Sequence, residues 1–350
     1  MTLGREAVLQ QVDGGEMLCG LCVEPGRFEL VHRPRPEVAP EGHVLVDIDA
    51  VGLCGTDYHI FEGKHPFLAY PRVIGHELSG IVAQSQGAWR AGQRVVINPY
   101  LACGTCRACQ KHKPNCCEAI AVLGVHCDGG LGDRLVLPEK NLIDASDLPA
   151  DAAVLVEFLA IGAHAVRRAN VAAGDRVLIT GAGPIGLGIA LFAAERGAEV
   201  HLRDLSPERL AQMADFGFTH LHAAADLLAP SQFDAVFDAT GSRAAIMESL
   251  QYVAHGGTWA LVGLTTQELG FLHPEFHKRE TTLVACRNAT SDDFETVMAA
   301  FTAGRIRADQ IISKRLFLSE LPEAFPALVA ERAALLKVVV DIPRGRNVGA

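Results

Sequence analysis

The sequence predicts a two-domain α/β protein that combines a β-rich domain with a doubly wound parallel sheet. Residues 17–144 contain short apolar runs separated by Gly and Pro, a pattern typical of β-rich domains. From residue 160 to residue 286, strand-like runs alternate with helical segments, which indicates a parallel sheet covered by helices. A chain of 350 residues is also long enough for about two domains.

The predicted elements follow this division along the chain. In the first domain, residues 43–49 and 94–97 are predicted strands. In the second domain the predicted strands are 176–180, 199–202, 233–237, 258–262 and 281–285. We expect a last strand at 336–342 to rejoin the first domain. The predicted boundaries are therefore 1–159 with 290–350 for the β-rich domain and 160–289 for the parallel-sheet domain.

Four cysteines within fifteen residues predict a closed metal site. They are Cys103, Cys106, Cys109 and Cys117. Two-residue spacings allow tight turns to aim the sulfurs at one point, and four thiolates complete the tetrahedron of a structural zinc ion. Cys116 is the alternative fourth ligand, and Cys117 is the residue that we predict. Disulfides or separately buried thiols are the other interpretations of this cluster.

A second group of metal-ligand residue types lies apart from this lobe. Cys54 is followed by His76 and Glu77, and Glu157 is a further candidate carboxylate. If the intervening loop folds back, a thiol, an imidazole and a carboxylate reach one ion. Three mixed ligands with an open position are typical of catalytic zinc. Taken one at a time, these residues would more often belong to a core or a solvated turn.

A glycine-rich turn after the predicted strand 176–180 predicts a dinucleotide site. Its residues are Gly181, Gly183, Pro184, Ile185 and Gly186. The glycines allow the backbone to approach a pyrophosphate at the N-terminus of the helix that follows. Asp204 ends the next strand, where a carboxylate binds a ribose 2′-hydroxyl and repels a 2′-phosphate. NAD is therefore the predicted cofactor, with NADP as the alternative because Arg203 and Arg209 lie nearby.

Composition restricts the partners and the compartment. The chain has 31 basic and 41 acidic residues, a formal charge of −10, which disfavours a nucleic-acid partner. The uncharged run 177–194 is long enough for a membrane span, but its glycines and Pro184 fit a strand followed by a helix, so no membrane partner is predicted. Residues 1–16 lack the apolar core of a signal peptide. We expect a cytoplasmic protein, in which clustered thiols favour metal binding over disulfides.

In their order along the chain, these motifs resemble the zinc-dependent medium-chain alcohol dehydrogenases. The matching segments are Gly52-Leu-Cys54-Gly-Thr56-Asp57, Gly75-His76-Glu77, the four-cysteine lobe, the 181–186 turn and Asp238-Ala-Thr240-Gly241. The resemblance covers nearly the whole chain from residue 17. It implies a GroES-like catalytic domain that carries a structural zinc lobe, plus a Rossmann domain. The pairing of His76 and Glu77 with Glu157 resembles the polyol and sugar-acid branch, although Phe158 stands where that branch usually has proline.

The resemblance implies roles for individual residues. Catalytic zinc would be held by Cys54, His76 and a glutamate, with Glu77 and Glu157 as alternatives. Further implied residues are Asp57, which orients the ligand histidine, Thr56 and His59, which relay the substrate proton by way of the cofactor ribose, and Arg209, Thr240, Val262, Gly263 and Lys337, which contact the cofactor. Zinc would act as a Lewis acid on the alcohol while hydride passes to the nicotinamide and a ketone is left.

The substrate prediction depends on three residues and on the same resemblance. Tyr58, Arg287 and Asn288 are candidate substrate contacts, and the cationic Arg287 would hold a carboxylate, or else contact the cofactor or solvent. Segments 70–75 and 287–290 resemble bacterial sugar-acid dehydrogenases that act on L-galactonate or L-gulonate. We therefore expect oxidation of a secondary alcohol of a polyol or sugar acid by a homo-oligomer, either a dimer or a tetramer.

Three other functions compete with this one. An L-threonine-type amino-alcohol dehydrogenase would use the same fold and ligands. A non-catalytic sensor of nucleotide or zinc would have no use for Cys54, His76 and His59 together. A zinc-lobe nucleic-acid-binding protein would need a basic face, which the composition does not supply.

Overall fold

The computed structural model describes residues 15–66 and 68–343. The signal-peptide interpretation of residues 1–16 therefore lies almost entirely outside the described residues. These residues divide into a first unit, 15–157 with 300–331 and 337–343, and a second unit, 158–299 with 332–336. The predicted domain boundaries stay a prediction.

Both units contain strands and helices, and the two kinds of element alternate most regularly in the second unit. The strands are β1 (Glu16–Glu24), β2 (Arg27–Pro34), β3 (His43–Leu53), β4 (Arg72–Val73), β5 (Glu77–Val82), β6 (Arg94–Ile97), β7 (Tyr100–Leu101), β8 (Ala121–Val122), β9 (Arg134–Pro138), β10 (Leu142–Asp144), β11 (Arg176–Thr180), β12 (Glu199–Asp204), β13 (His220–Ala223), β14 (Phe233–Asp238), β15 (Val253–Leu261), β16 (Thr282–Ala285), β17 (Ile312–Phe317) and β18 (Lys337–Asp341). The α-helices are α1 (Gly55–Phe61), α2 (Arg107–Gln110), α3 (Ala150–Ala153), α4 (Val156–Arg168), α5 (Pro184–Glu195), α6 (Pro207–Asp215), α7 (Arg243–Ser249), α8 (His273–Lys278), α9 (Ser291–Thr302), α10 (Ala308–Ile311) and α11 (Leu321–Glu331).

The second unit contains a six-stranded parallel sheet in the order β13-β12-β11-β14-β15-β16. Numbered within this sheet the order is 3-2-1-4-5-6, that of a doubly wound dinucleotide-binding fold. The predicted α/β class is therefore confirmed. The central strands are almost fully buried, as expected for a sheet covered on both faces.

The first unit is built mainly from β-strands. Its largest sheet has the order β10-β6-β5-β3-β18-β17, with β9 paired to β3. Smaller sheets are β2-β1-β4 and β7-β8. Strand β18 pairs with β3 in the antiparallel direction, which confirms that the strand near residue 340 rejoins the β-rich part. This pairing also determines the contacts at the candidate site.

Small residues allow α4 and α5 to pack closely in the second unit. A side chain at Gly162 would meet the backbone of Gly188. The uncharged run 177–194 divides into β11 and α5. Among the residues that the structure describes, no helix has the length and apolar character needed to cross a membrane.

Candidate active site

Cys54, His76 and Glu77 come together in the first unit. Strand β3 ends at Leu53, Cys54 caps the N-terminus of α1, and His76 directly precedes β5. The donor atoms of the three side chains all lie within 4.8 Å of one another. His76 Nε2 is 3.0 Å from Cys54 Sγ. These three residues, which span more than twenty positions and were predicted to share a metal ion, therefore form one cluster.

Asp57 lies on the opposite side of the His76 ring from Cys54. Asp57 is fully buried, and its Oδ2 accepts a hydrogen bond from the Cys54 backbone N–H at 2.9 Å. Its Oδ1 is 3.9 Å from His76 Nδ1, and within the described residues neither atom has a hydrogen-bond partner. The ring thus directs Nε2 toward the cluster and Nδ1 toward a carboxylate, as in metal sites where an outer carboxylate orients a histidine ligand.

Glu77 is paired with a buried lysine. Lys337 Nζ lies 2.6 Å from each carboxylate oxygen of Glu77, and both side chains are at most 1% exposed. Glu77 on β5 lies opposite Gly52 on β3. A side chain at Gly52 would collide with the Glu77 carboxylate. Gly52 therefore leaves the space in which this ion pair forms.

This contact bears on the predicted role of Lys337. The resemblance implied a cofactor contact, whereas the observed partner of its ammonium group is Glu77, in the first unit. The cofactor contact stays a prediction.

Glu157 is the other candidate carboxylate and is also buried. It is the second residue of α4, and its Oε1 accepts a short hydrogen bond from the Tyr100 hydroxyl. Burial raises the pKa of Glu157 to about 7. Glu157 is not among the three residues whose donor atoms group within 4.8 Å. Sequence reasoning missed Tyr100, for which an aromatic residue in a two-residue strand gives no signal.

The cluster fits a zinc ion in its donor types and its charge. A thiol, an imidazole and a carboxylate are all zinc ligands. Although burial alone would lower it, the nearby Cys54 and Asp57 raise the pKa of His76 well above its usual value. Asp57 and Glu157 are buried carboxyl groups that act on His76, and Glu77 is paired with the Lys337 ammonium group. A bound metal ion would take the place of the proton on His76 and keep the positive charge that these acidic groups favour.

The four-cysteine lobe also brings its thiols together. The sulfur atoms of Cys103, Cys106, Cys109 and Cys117 lie within 4.8 Å of one another. The backbone N–H groups of Thr105 and Cys106 donate to Cys103 Sγ. These hydrogen bonds, with that of Thr105 as the largest contribution, lower the pKa of the Cys103 thiol to about 6. Donors of this kind favour the thiolate, the form that binds metal. The adjacent Cys116 is exposed and lies outside the group.

The predicted relay residues lie on α1. Thr56 and His59 are three residues apart, so they share one face of the helix. Thr56 is half-buried, and its backbone N–H donates to Cys54 Sγ at 3.2 Å, whereas His59 is exposed. Tyr58, a predicted substrate contact, is buried with its ring edge against Phe325.

In the second unit, the glycine-rich turn connects β11 to α5. Gly181 has a φ of +100°, and a side chain at Gly186 would collide with the Gly181 carbonyl. Gly183 caps the helix, Pro184 occupies its first turn and Ile185 follows. Glycine is therefore required where the chain turns, and the turn leaves the helix N-terminus open to a pyrophosphate.

Asp204 is placed beside this turn. Its Oδ2 accepts from the Ala182 backbone N–H at 2.7 Å, and its Oδ1 accepts from the Ser206 N–H at 2.8 Å. A guanidinium nitrogen of Arg209 is 3.9 Å from Asp204 Oδ2. The carboxylate ends β12 next to the glycine turn, where the dinucleotide-binding fold places the acid that contacts the ribose.

The remaining predicted cofactor residues follow β14 and β15. Thr240 donates to the buried Asp238 through its hydroxyl, and the Val262 and Gly263 backbone N–H groups donate to the Asp238 carbonyl. A side chain at Gly263 would collide with the backbone of Gly241. These residues therefore lie at the same carboxyl edge of the sheet as the glycine turn.

The last two predicted substrate residues follow β16. Arg287 is exposed, and Asn288 is half-buried with a φ of 55°. They belong to the second unit, whereas Tyr58 belongs to the first.

A thiol–imidazole–carboxylate cluster, a four-thiol lobe and a dinucleotide-binding sheet together define a zinc-dependent dehydrogenase. Family models confirm this class. Residues 40–147 match the alcohol dehydrogenase GroES-like domain, and residues 184–303 match the zinc-binding dehydrogenase domain. The chain belongs to the zinc-binding alcohol dehydrogenase family and is an oxidoreductase.

Individual relatives are similar to this chain over most of its length. L-galactonate-5-dehydrogenase from Escherichia coli K12 is 41% identical over 91% of this chain and 97% of its own length. An L-threonine 3-dehydrogenase from Streptomyces avermitilis is 32% identical over 91% of this chain and 96% of its length. Among solved structures, an alcohol dehydrogenase from E. coli CFT073 in complex with NADH has a TM-score of 0.87 at 26% identity, with 94% of this chain and 100% of that chain covered.

Proposed function

We propose that this protein oxidises a secondary alcohol of a sugar acid or polyol to a ketone, with NAD as hydride acceptor. The observation that carries the proposal is the 41% identity, over nearly the full length, to an L-galactonate-5-dehydrogenase. The cluster of Cys54, His76 and Glu77 supports the reaction class. An alcohol must lose its proton before its carbon can release hydride, and a zinc ion held by this cluster would favour that loss.

The residues around the cluster would hold and orient the reacting groups. Zinc, held by Cys54, His76 and Glu77, would supply Lewis-acid polarisation of the alcohol oxygen. Asp57 would keep the His76 ring in orientation. Thr56 is half-buried and His59 is exposed on the same helix face, which suits a path for the alcohol proton from the site to water. Arg287 belongs to the second unit, and its exposed guanidinium would bind the carboxylate of a sugar acid.

The first test is NADH formation, followed at 340 nm, with zinc-loaded protein and a panel of substrates. The panel contains L-galactonate, L-gulonate, a polyol, L-threonine and ethanol. We expect turnover with a hexonate and little with ethanol, because a small alcohol uses none of the polar contacts outside the reacting carbon. If protein that binds both zinc and NADH turns over no substrate in the panel, the proposed substrate class is overturned.

The second candidate is an L-threonine dehydrogenase, and a specific observation favours it. The S. avermitilis L-threonine 3-dehydrogenase matches 91% of this chain at 32% identity. Both substrates are secondary alcohols that carry a carboxylate, so Arg287 does not discriminate between them. Activity on L-threonine without activity on hexonates would select this alternative.

Cofactor preference is expected to depend on Asp204. In Asp204→Asn the amide oxygen can still accept a backbone N–H, while the charge that would repel a 2′-phosphate is removed. We expect the ratio of kcat/KM for NAD to that for NADP to fall about 10- to 100-fold, since Arg209 would then face the phosphate with no competing carboxylate. Asp226→Asn is the matched control because Asp226 also accepts a backbone N–H just after a strand of this sheet. An unchanged ratio in Asp204→Asn would remove Asp204 from the cofactor site.

Two further features stay predictions. We propose a homo-oligomer, either a dimer or a tetramer, and a cytoplasmic location. Sedimentation velocity of the purified protein would measure the first, and fractionation of the source cells would measure the second.

A further inference from the structure

A second cluster of imidazole and carboxylate groups lies in the second unit, away from the glycine turn. Strands β12 and β13 are parallel neighbours, and His201 lies opposite His220. Side chains two positions apart on a strand share a face. Glu199, His201, His220 and His222 therefore project from one face of the sheet at its β13 edge.

Three of these groups lie close enough together to share a metal ion. One donor atom from each of Glu199, His201 and His220 lies within 4.8 Å of the other two. A tetrahedral zinc ion with ligand bonds near 2.1 Å needs donor atoms about 3.4 Å apart. The His201 and His220 rings stack with centroids 4.4 Å and planes 15° apart, so the His220 ring must turn before the lone pairs of both rings, which lie in the ring planes, point at one ion. His220 and Glu199 are exposed, so they can rotate without disturbing the core.

The fourth group, His222, completes the pattern around His201. His201 Nδ1 is 2.9 Å from His222 Nε2, and His201 Nε2 is 2.8 Å from Glu199 Oε1. A neutral imidazole has one N–H, so it can donate to only one of these two partners. If Nδ1–H donates to His222, the Nε2 lone pair faces Glu199 and is available to a metal ion. A metal-bound histidine commonly has this second hydrogen bond.

Arg176 is the positive group that a bound cation would have to tolerate. Its Nε lies 3.0 Å from Glu199 Oε1. The same guanidinium also donates to Gln232 at 3.0 Å and lies over the Phe233 ring. Arg176 therefore has partners besides Glu199, and the Oε2 atom of Glu199 remains for a metal ion.

We propose that Glu199, His201 and His220 form a third zinc site, with His222 as the residue that orients His201. Two imidazoles and one carboxylate are a ligand set for zinc, with a fourth position for water. Glu199 and His220 begin their strands, whereas the glycine turn and Asp204 lie at the strand ends. His201 and Asp204 are three residues apart, about 10 Å along the strand. The ion would join the edge strand β13 to β12 and would not contact the cofactor.

The test is the zinc content of untagged, full-length protein, measured by mass spectrometry after dialysis at pH 7.5 against a series of buffered free-zinc concentrations. We expect His220→Gln to hold one zinc per chain fewer than the wild type, and the affinity for that ion to fall at least about tenfold. His220 is exposed, so this variant should fold. Glu199→Gln should also lower the affinity for this ion. Hydrogen exchange in β12 and β13 should slow in the wild type as this ion binds and should not slow in His220→Gln.

The matched control is the double variant His273→Gln/His277→Gln, since these two exposed histidines lie one turn apart on α8 with ring centroids 5.6 Å apart. It should keep the wild-type zinc content. Equal zinc content and equal exchange in wild type and His220→Gln would overturn the proposal. Loss of the extra ion from the α8 variant, with none from His220→Gln, would overturn it too, because the ion would then be bound at α8.

Discussion

Cys54→Ser is expected to lose one zinc ion per chain and at least about 1,000-fold in kcat/KM for alcohol oxidation. The Cys54 sulfur lies 3.0 Å from His76 Nε2 and is the one thiol of the three-residue cluster. A serine hydroxyl stays protonated at neutral pH and is a poor zinc ligand. Loss of Lewis-acid polarisation removes several kcal/mol from transition-state stabilisation, and about 4 kcal/mol corresponds to a 1,000-fold change in rate. Zinc content and initial rates of NADH formation measure the two effects.

The control for this variant comes from the other thiol group. Cys116→Ser changes an exposed thiol that lies outside the four-sulfur cluster. It should keep both the zinc content and the rate of the wild type. Full activity and full zinc content in Cys54→Ser would place the catalytic ion elsewhere. A loss of zinc from Cys116→Ser would instead make Cys116 a ligand of the lobe.

Local sequence patterns were sufficient for some of the strands and for the glycine turn, whereas β13 and most strands of the first unit were not predicted individually. The strand predicted at 94–97 is β6, and the one predicted at 176–180 is β11. Both are short apolar runs bounded by polar or Gly residues, so each could be recognised without its neighbours. The glycine turn was equally predictable, because the positive φ of Gly181 and the tight contact at Gly186 are needed within six residues.

Contacts between distant residues were less accessible to sequence reasoning. Lys337 and Glu77 are 260 positions apart and meet because β18 and β5 flank the same strand, β3. His201 and His220 face each other because β12 and β13 are neighbours with a particular register. Neither relation follows from the alternation of strands and helices, which predicts a sheet but not which side chains share a face. Cys54, His76 and Glu77 were grouped because metal-ligand residue types are uncommon in such spacings and the chain resembles a known family.

Lys337→Met is expected to lower the free energy of unfolding of the first unit by about 3–5 kcal/mol. It keeps most of the side-chain volume but leaves the Glu77 carboxylate buried with no ammonium group beside it. Removing one partner of a buried ion pair typically has a cost of this size, since the remaining charge stays desolvated. Because about 1.4 kcal/mol corresponds to a factor of ten, the most protected amides of β3 and β18 should exchange about 100- to 4,000-fold faster. Hydrogen exchange followed by mass spectrometry measures this effect.

Two further variants separate the ion pair from a general effect of losing a lysine. Lys64→Met removes the exposed partner of Glu62, whose ion pair spans 3.0 Å in the same unit, and exposed pairs contribute at most about 1 kcal/mol. The double variant Lys337→Met/Glu77→Gln removes both buried charges and should be more stable than Lys337→Met alone when both are compared in zinc-free protein, since Glu77 is also a proposed zinc ligand. If Lys337→Met exchanges no faster than Lys64→Met, the buried pair does not stabilise the unit. If the double variant is no more stable than the single one in zinc-free protein, the loss comes from packing around Lys337 and not from the Glu77 charge.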